Sequence, residues 1–300
     1  LFTGRFGELA AALPAVSDET YRATAAWTDI LLLRQFDTDG GALDAGLEVG
    51  MTQRQLAMQR LLQGRWDEAL ALLPNAFCHW RIGVSAYEAG RYEDAVEHLQ
   101  AGYDLAARDG AARLMLLCRT YMGNCYCNRR DIERMRPHYA AARRLAQALG
   151  EQELLDSIAY NTAAVQIERG QFEEAYGYFS ALDDPGVLAL HKLAICCEKT
   201  GRTAEALAAL ERAEAAETAE QRSEAVEKML AVVRFRLAHP DYLHCDAYGA
   251  LLLDCFACCR TRLPQGYAAF HLPWVVEWYT AARQYKKVCE LLTEFPDMRL

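Results

Sequence analysis

The strongest constraint on the fold is a short pattern that recurs along the chain. In Asp156–Leu182, one helix-forming run contains the small residue Ala163, Gly170 interrupts the run, and a second run contains Ala175 and Phe179. Small residues let two helices approach closely, a glycine ends the first helix, and an aromatic ring fills the space between the two. The stretch therefore predicts two short helices that fold back on each other.

The pattern recurs at similar offsets from residue 51 onward. Its breaks fall at Gly64, Gly90, Arg130, Gly170, Gly201 and Arg283. The wide last interval fits two units, with a degenerate break near His239-Pro240. One helix pair cannot bury its own apolar face, so repetition at this period indicates a stack of pairs. We expect an all-α solenoid of about seven antiparallel helix pairs.

The repeats predict one elongated domain over residues 1–300, because no low-complexity linker divides them. Within it, degenerate N-terminal helices are assigned to residues 1–50, clear repeats to 51–217 and degenerate C-terminal repeats to 218–300. Gly4-Arg5-Phe6 resembles the start of a second helix, so we expect the chain to open within a repeat.

Composition narrows the classes of partner. The net charge is −9, which argues against a surface that contacts nucleic acid directly. No apolar run reaches the roughly 18 residues of a membrane span, so no membrane partner is expected. The 11 cysteines are scattered through helical repeats, where cysteine behaves as a small hydrophobic residue. Reduced thiols of this kind predict a cytoplasmic protein.

The repeated pattern resembles that of the tetratricopeptide-repeat (TPR) family. Gly83, Gly90, Tyr92, Ala95 and Leu99 are one copy of it, and the likeness extends over roughly residues 51–215. The resemblance implies a right-handed superhelix whose concave face, lined by the first helix of each pair, holds a peptide or a partner protein.

The irregular array also looks like the C-terminal regions of bacterial helix-turn-helix regulators that sense peptides. That likeness implies an alternative function, the ligand-sensing domain of a transcriptional regulator whose DNA-binding part is absent from this chain.

Polar residues at matching positions of the first helices are candidates for the groove. Asn161 lies two residues before Ala163, where TPR relatives that grip a peptide backbone or a carboxylate often carry asparagine. An amide suits that role because it both donates and accepts hydrogen bonds. Arg81, Tyr121 and Lys192 occupy equivalent positions. We expect Arg81, Asn161 and Lys192 to attract an anionic or extended ligand.

Aromatic residues on the first helices are candidate anchors, because such residues carry much of the energy of protein interfaces. The candidates are Trp80, Tyr87, Tyr121, Tyr160 and Trp274. Each of them suits packing between helices equally well, and that alternative stays open.

Residues 111–144 form a basic block in an otherwise acidic chain, with eight arginines against two acidic residues. The arginines expected to form an exposed patch are Arg129, Arg130, Arg134 and Arg136. One interpretation is a docking patch for an acidic partner or a phosphate. The other is pairing with acidic helices of neighbouring repeats.

The cysteine-rich segment Cys255-x-x-Cys258-Cys259, with His271 further along the chain, suggests a metal hypothesis. A single pair of this spacing lacks the second pair of a zinc site, so we predict no metal and no cofactor. The segment remains the basis of an alternative of another class, a metal-binding or enzymatic protein.

Motifs of nucleophilic, phosphate-binding and zinc-protease sites are missing from the sequence. We therefore expect a module that is not an enzyme and that acts as scaffold or sensor by holding a peptide or protein segment. A homodimer stays open.

Overall fold

The computed structural model describes residues 51–215, 223–263 and 265–295. The helices assigned to residues 1–50 lie outside this range. All regular structure within it is helical, without a strand. There are fourteen α-helices: α1 Gln53–Leu62, α2 Trp66–Leu72, α3 Ala76–Glu88, α4 Tyr92–Arg108, α5 Ala112–Asn128, α6 Ile132–Leu149, α7 Gln152–Glu168, α8 Phe172–Phe179, α9 Val187–Lys199, α10 Thr203–Glu214, α11 Glu224–Ala238, α12 Asp246–Arg262, α13 Gln265–Ala281 and α14 Tyr285–Glu294.

Six of the breaks predicted from the repeat carry a left-handed residue at the end of a first helix, whereas His239 at the degenerate break has an extended backbone with φ of −130°. The six residues are Gly64, Gly90, Gly170 and Gly201, with φ of 72–77°, and Arg130 and Arg283, with φ of 60° and 58°. Next to Gly64, the backbone N–H of Arg65 donates to the carbonyl of Arg60 over 2.9 Å. This hydrogen bond runs from the sixth residue of the turn back to the first, which is the pattern of a Schellman motif. It satisfies a carbonyl group at the end of the helix.

The helices of a pair run antiparallel, as the small residues predict. A Cβ at Gly83 in α3 would lie 2.7 Å from the Cγ of Leu99 in α4, and one at Gly102 would lie 3.2 Å from the carbonyl of Ala76. Residues near the start of α3 thus face residues near the end of α4. The two helices lie so close together that only a small residue fits between them. The all-α fold of antiparallel helix pairs is confirmed.

Contacts group the chain into two compact units. The first contains Leu1–Tyr126 and Glu133–Leu154, and the second contains Cys127–Ile132 and Leu155–Leu300. A single repeat domain over residues 1–300 stays a prediction. The second unit has an extended core of buried apolar side chains, among them Phe179, Ile195, Leu210, Met229 and Leu252.

Two further sequence expectations concern the thiols and the membrane. All eleven cysteines are free, and nine of them are buried in the helix packing. Within the described ranges no helix is both long enough and apolar enough to cross a membrane.

A close helix contact of the second unit, at a glycine, allows a matched test. A Cβ at Gly249 in α12 would overlap the indole of Trp278 in α13, whereas one at Gly177 in α8 has no neighbour within 4 Å. Gly249→Ala should therefore lower the free energy of unfolding by about 1–3 kcal/mol through overpacking. Gly177→Ala should raise it by about 0.5–1 kcal/mol through helix propensity. Urea denaturation measures both, and equal effects would contradict the α12–α13 contact.

Candidate functional site

The candidate site is a cavity of about 360 Å³ in the second unit. It lies at the C-terminal ends of α7 and α9, the start of α8 and the middle of α13. The lining residues are Ile167, Glu168, Gly170, Phe172, Lys199, Phe270, Pro273, Trp274 and Glu277. An apolar cavity with a few polar groups is the usual form of a ligand site.

The aromatic wall of the cavity comes from one face of α13. Phe270, Pro273 and Trp274 stand three and four residues apart, so they share that face. The rings of Phe270 and Trp274 meet edge to face with centroids 5.2 Å apart. Such aromatic pairs contribute beyond the area they bury, so the wall is held in one arrangement.

A buried ion pair between Arg236 and Glu198 packs against the ring of Trp274. The guanidinium carbon of Arg236 in α11 lies 4.9 Å from the Trp274 ring centroid. Its Nε and Nη2 donate to the two carboxylate oxygens of Glu198 in α9 over 2.8 and 2.6 Å. A paired guanidinium over an indole is a strong contact here, because the Arg236 guanidinium is removed from water. The ring is thus fixed before a ligand arrives.

Glu168 at the end of α7 puts a carboxyl group into the cavity lining. The Nε of Arg130 lies 2.6 Å from its Oε2, and both side chains are about nine-tenths buried. The other guanidinium nitrogens of Arg130 donate to the carbonyls of Cys127, over 2.7 Å, and Gly266, over 3.0 Å. Arg130 therefore joins the end of α5 to α7 and α13 within the second unit.

Lys192 of α9 lies behind this pair, enclosed by aromatic rings. Its Nζ donates to the hydroxyl of Tyr160 over 2.9 Å. It also lies 4.9 Å from the ring centroid of Tyr160, 5.7 Å from that of Tyr267 and 5.1 Å from that of Phe270. Ring faces attract a cation, which offsets part of the cost of removing Lys192 from water.

Burial sets the protonation of these groups. It raises the pKa of Glu168 to about 7, although Arg130 and Lys192 both act in the opposite direction. It lowers the pKa of Lys192 and raises that of Tyr160 to about 12. Near neutral pH the carboxyl group of Glu168 thus exchanges its proton beside Arg130 and Lys192. Such a carboxyl group can accept a hydrogen bond when ionised and donate one when protonated.

The predicted groove residues fall into two sets. Lys192 and Tyr160 come together in the second unit, where Asn161 lies half-buried on α7 beside Tyr160. Arg81, Trp80 and Tyr121 belong to the first unit. There the guanidinium carbon of Arg81 lies 4.6 Å from the Trp66 ring centroid and 5.6 Å from that of Trp80. Tyr121 meets Tyr87 edge to face at 5.5 Å.

The basic block is also divided. Arg129 and Arg130 belong to the second unit, and Arg134 and Arg136 to the first. Arg130 is the arginine buried against Glu168, which matches the pairing interpretation. Arg134 and Arg136 are exposed, and the Nη1 of Arg136 lies 3.7 Å from Glu133. Docking of an acidic partner on the exposed arginines stays a prediction.

Sequence reasoning missed Glu168, Glu198, Arg236 and Phe270. A signal was present for the charged residues, because Glu168 and Arg236 each stand in an apolar run (AAVQIE and AVVRFR). A charge in such a run is buried when a partner from another helix meets it, and that partner is set by packing rather than by local sequence.

No family model and no curated protein matches the chain. Among solved structures, it is similar to a Rap protein complexed with Competence and Sporulation Factor, with a TM-score of 0.60, 15% identity and 99% of each chain covered. Two others are the quorum sensor NprR from B. thuringiensis in its apo form and the Rap conjugation gene regulator of plasmid pLS20. The first has a TM-score of 0.47, 12% identity, 98% of this chain and 82% of NprR covered. The second has a TM-score of 0.48, 16% identity, 96% of this chain and 91% of that regulator covered. The likeness to the first Rap protein shows that the two chains share one fold.

The raised pKa of Glu168 makes stability depend on pH. The folded state binds the proton with a pKa of about 7, against an ordinary value of 4.5, so the folded state holds more protons between these values. Stability from this group is present below pH 4.5 and is lost as pH rises through 7. Between pH 5 and pH 8 the wild type should lose on the order of 2–3 kcal/mol relative to Glu168→Gln, which has no such proton.

Urea denaturation at several pH values measures this difference. Glu277→Gln is the matched control, because Glu277 lines the same cavity but is exposed, and it should follow the wild type. A wild type that gains stability toward pH 8 relative to Glu168→Gln would show that attraction to Arg130 outweighs burial.

Proposed function

We propose that this chain is a peptide-binding helical-repeat module that acts by binding rather than by catalysis. The observation that carries the proposal is the preformed cavity lined by Trp274, with one aromatic wall and the largely buried carboxyl group of Glu168 in its lining. An apolar side chain of an extended peptide fits against Phe270, Pro273 and Trp274. The Glu168 carboxyl group then accepts from a backbone N–H of the peptide.

The physical advantage of this cavity is that its groups are already fixed. Arg236, Phe270 and the Arg130–Glu168 pair hold the walls, so a peptide would order few protein side chains on binding. Binding to a preorganised site loses less conformational entropy, which leaves more of the contact energy as affinity. A rigid indole in a pocket is also a typical hot spot of an interface.

A sensor is favoured over a passive scaffold by one comparison. The Rap protein that shares the fold of this chain is complexed with Competence and Sporulation Factor, and the likeness covers 99% of both chains. We extend peptide sensing to this chain on that basis, in keeping with the resemblance to TPR-containing regulators. A cytoplasmic location and a role as the sensing part of a transcriptional regulator belong to the same proposal.

Affinity selection tests the proposal directly. The full chain is incubated with a library of random hexapeptides, and retained peptides are identified by mass spectrometry after size exclusion. Selected peptides are then titrated calorimetrically against the variants. Trp274→Ala should weaken binding by about 2 kcal/mol or more, roughly 30-fold, because it removes the anchor of the pocket.

The matched control is Tyr285→Ala in α14, an aromatic residue of the same unit that is 60% exposed and lies outside the cavity. It should bind the selected peptides as the wild type does, and thermal melting of each variant separates lost binding from lost folding. A folded Trp274→Ala variant with unchanged affinity would remove the cavity from the binding site.

A further inference from the structure

Two cysteines and a histidine meet in the interior of the second unit. Cys255 and Cys259 stand one turn apart on α12, and His271 faces them from α13. One Sγ atom from each cysteine and one imidazole nitrogen lie within 4.8 Å of one another. All three side chains are at most 1% exposed.

His271 is oriented as a metal ligand would be. Its Nδ1 donates to the carbonyl of Tyr267 over 2.8 Å, which leaves the lone pair on Nε2. Within the described part of the chain, that buried Nε2 has no hydrogen-bond partner. A buried acceptor without a partner is costly, so it calls for an occupant. A backbone carbonyl that holds the other ring nitrogen is the usual support of a histidine that binds a metal.

We propose that Cys255, Cys259 and His271 bind one zinc ion that ties α12 to α13. Two thiolates and an imidazole are ligands that zinc prefers, and three protein ligands leave a fourth position for water or another small ligand. Tetrahedral zinc with bonds of about 2.3 Å to sulfur would hold the sulfur atoms about 3.8 Å apart. The cluster reaches this geometry with shifts of an ångström or less.

Charge balance favours a divalent ion at this depth. Zinc with two thiolates is electrically neutral, so the occupied site adds no net charge to the apolar interior. The two thiol protons leave to solvent as the ion enters, and no electron is transferred. A monovalent soft ion would leave one uncompensated negative charge.

The ligand pair differs from the one that the sequence motif suggests. Cys255 and Cys258 form the C-x-x-C spacing, but Cys258 is not part of the cluster, although it too is buried. On a helix, residues four apart lie closer to the same face than residues three apart. Cys255 and Cys259 can therefore both face His271 of α13. Cys258 therefore provides a matched control within the same turn of α12.

The site is distinct from the cavity but shares α13 with it. The His271 ring lies 5.4 Å from that of Trp274, the aromatic wall of the cavity. A zinc ion at His271 would hold α13 against α12. The inference concerns metal binding alone and holds whether or not the cavity binds a peptide.

Zinc titration of the full chain tests the proposal. The chain is reduced, stripped with a chelator and titrated with Zn²⁺ in competition with a chromophoric chelator, and Tm is recorded with zinc and with the chelator. The wild type should bind one equivalent and gain Tm. Cys258→Ser should keep affinity within about threefold and keep the gain, whereas Cys255→Ser and Cys259→Ser should each lose at least tenfold in affinity and most of the gain.

Because each Tm gain is measured within one variant, a general loss of stability in a serine variant does not obscure the result. Cobalt supplies a second readout, since zinc itself has no spectrum. Co²⁺ should give a thiolate charge-transfer band that weakens in Cys259→Ser and persists in Cys258→Ser. A wild type that takes up no zinc, or a Cys258→Ser variant as defective as Cys259→Ser, would overturn the proposal.

Discussion

The fold depends on one local constraint, a left-handed residue at the end of the first helix of a pair. This residue reverses the chain within a few positions, so the second helix returns along the first and their small residues meet. Glycine takes the conformation at little cost, and four of the six left-handed breaks use it. At Arg130 a non-glycine residue accepts about 1–2 kcal/mol of strain. Its side chain reaches Glu168 and two carbonyls of the second unit, contacts that glycine could not make.

Many of the contacts of the candidate site are made by side chains of α13. Tyr267 and Phe270 enclose Lys192, Pro273 and Trp274 form the cavity wall, and His271 faces the two thiols of α12. Charged residues in this region are buried with partners from other helices, as in Arg236 with Glu198. Removing one member of such a pair leaves an uncompensated buried charge, so these contacts hold the helices in a single register.

The fold could be predicted from the sequence because it repeats. The spacing of Ala163, Gly170, Ala175 and Phe179 predicts the first helix, the turn after it and the close packing of the second helix against the first. All three features depend on residues that are near one another in the sequence. Even the breaks at Arg130 and Arg283 could be placed, since they keep the register of their neighbours.

The site could be predicted only in part. Lys192, Tyr160 and Trp274 were reached through their positions in the repeat, but the role of Glu168 was not, because its partners stand far away in sequence. Arg130 is 38 residues away along the chain and α13 about a hundred. The cysteine motif likewise suggested Cys258, whereas the approach of α13 selects Cys259. Contacts of this range depend on how helix pairs stack, which local spacing does not encode.

The central claim is that the second unit holds a peptide. Native mass spectrometry of the chain purified from its own cells, compared with the mass after denaturation, tests it most directly. The account predicts a population heavier by a few hundred to two thousand daltons that is released on denaturation and sequences as a peptide. A chain that keeps its bare mass from its own cells, and also after incubation with total peptide extract of those cells, would contradict it.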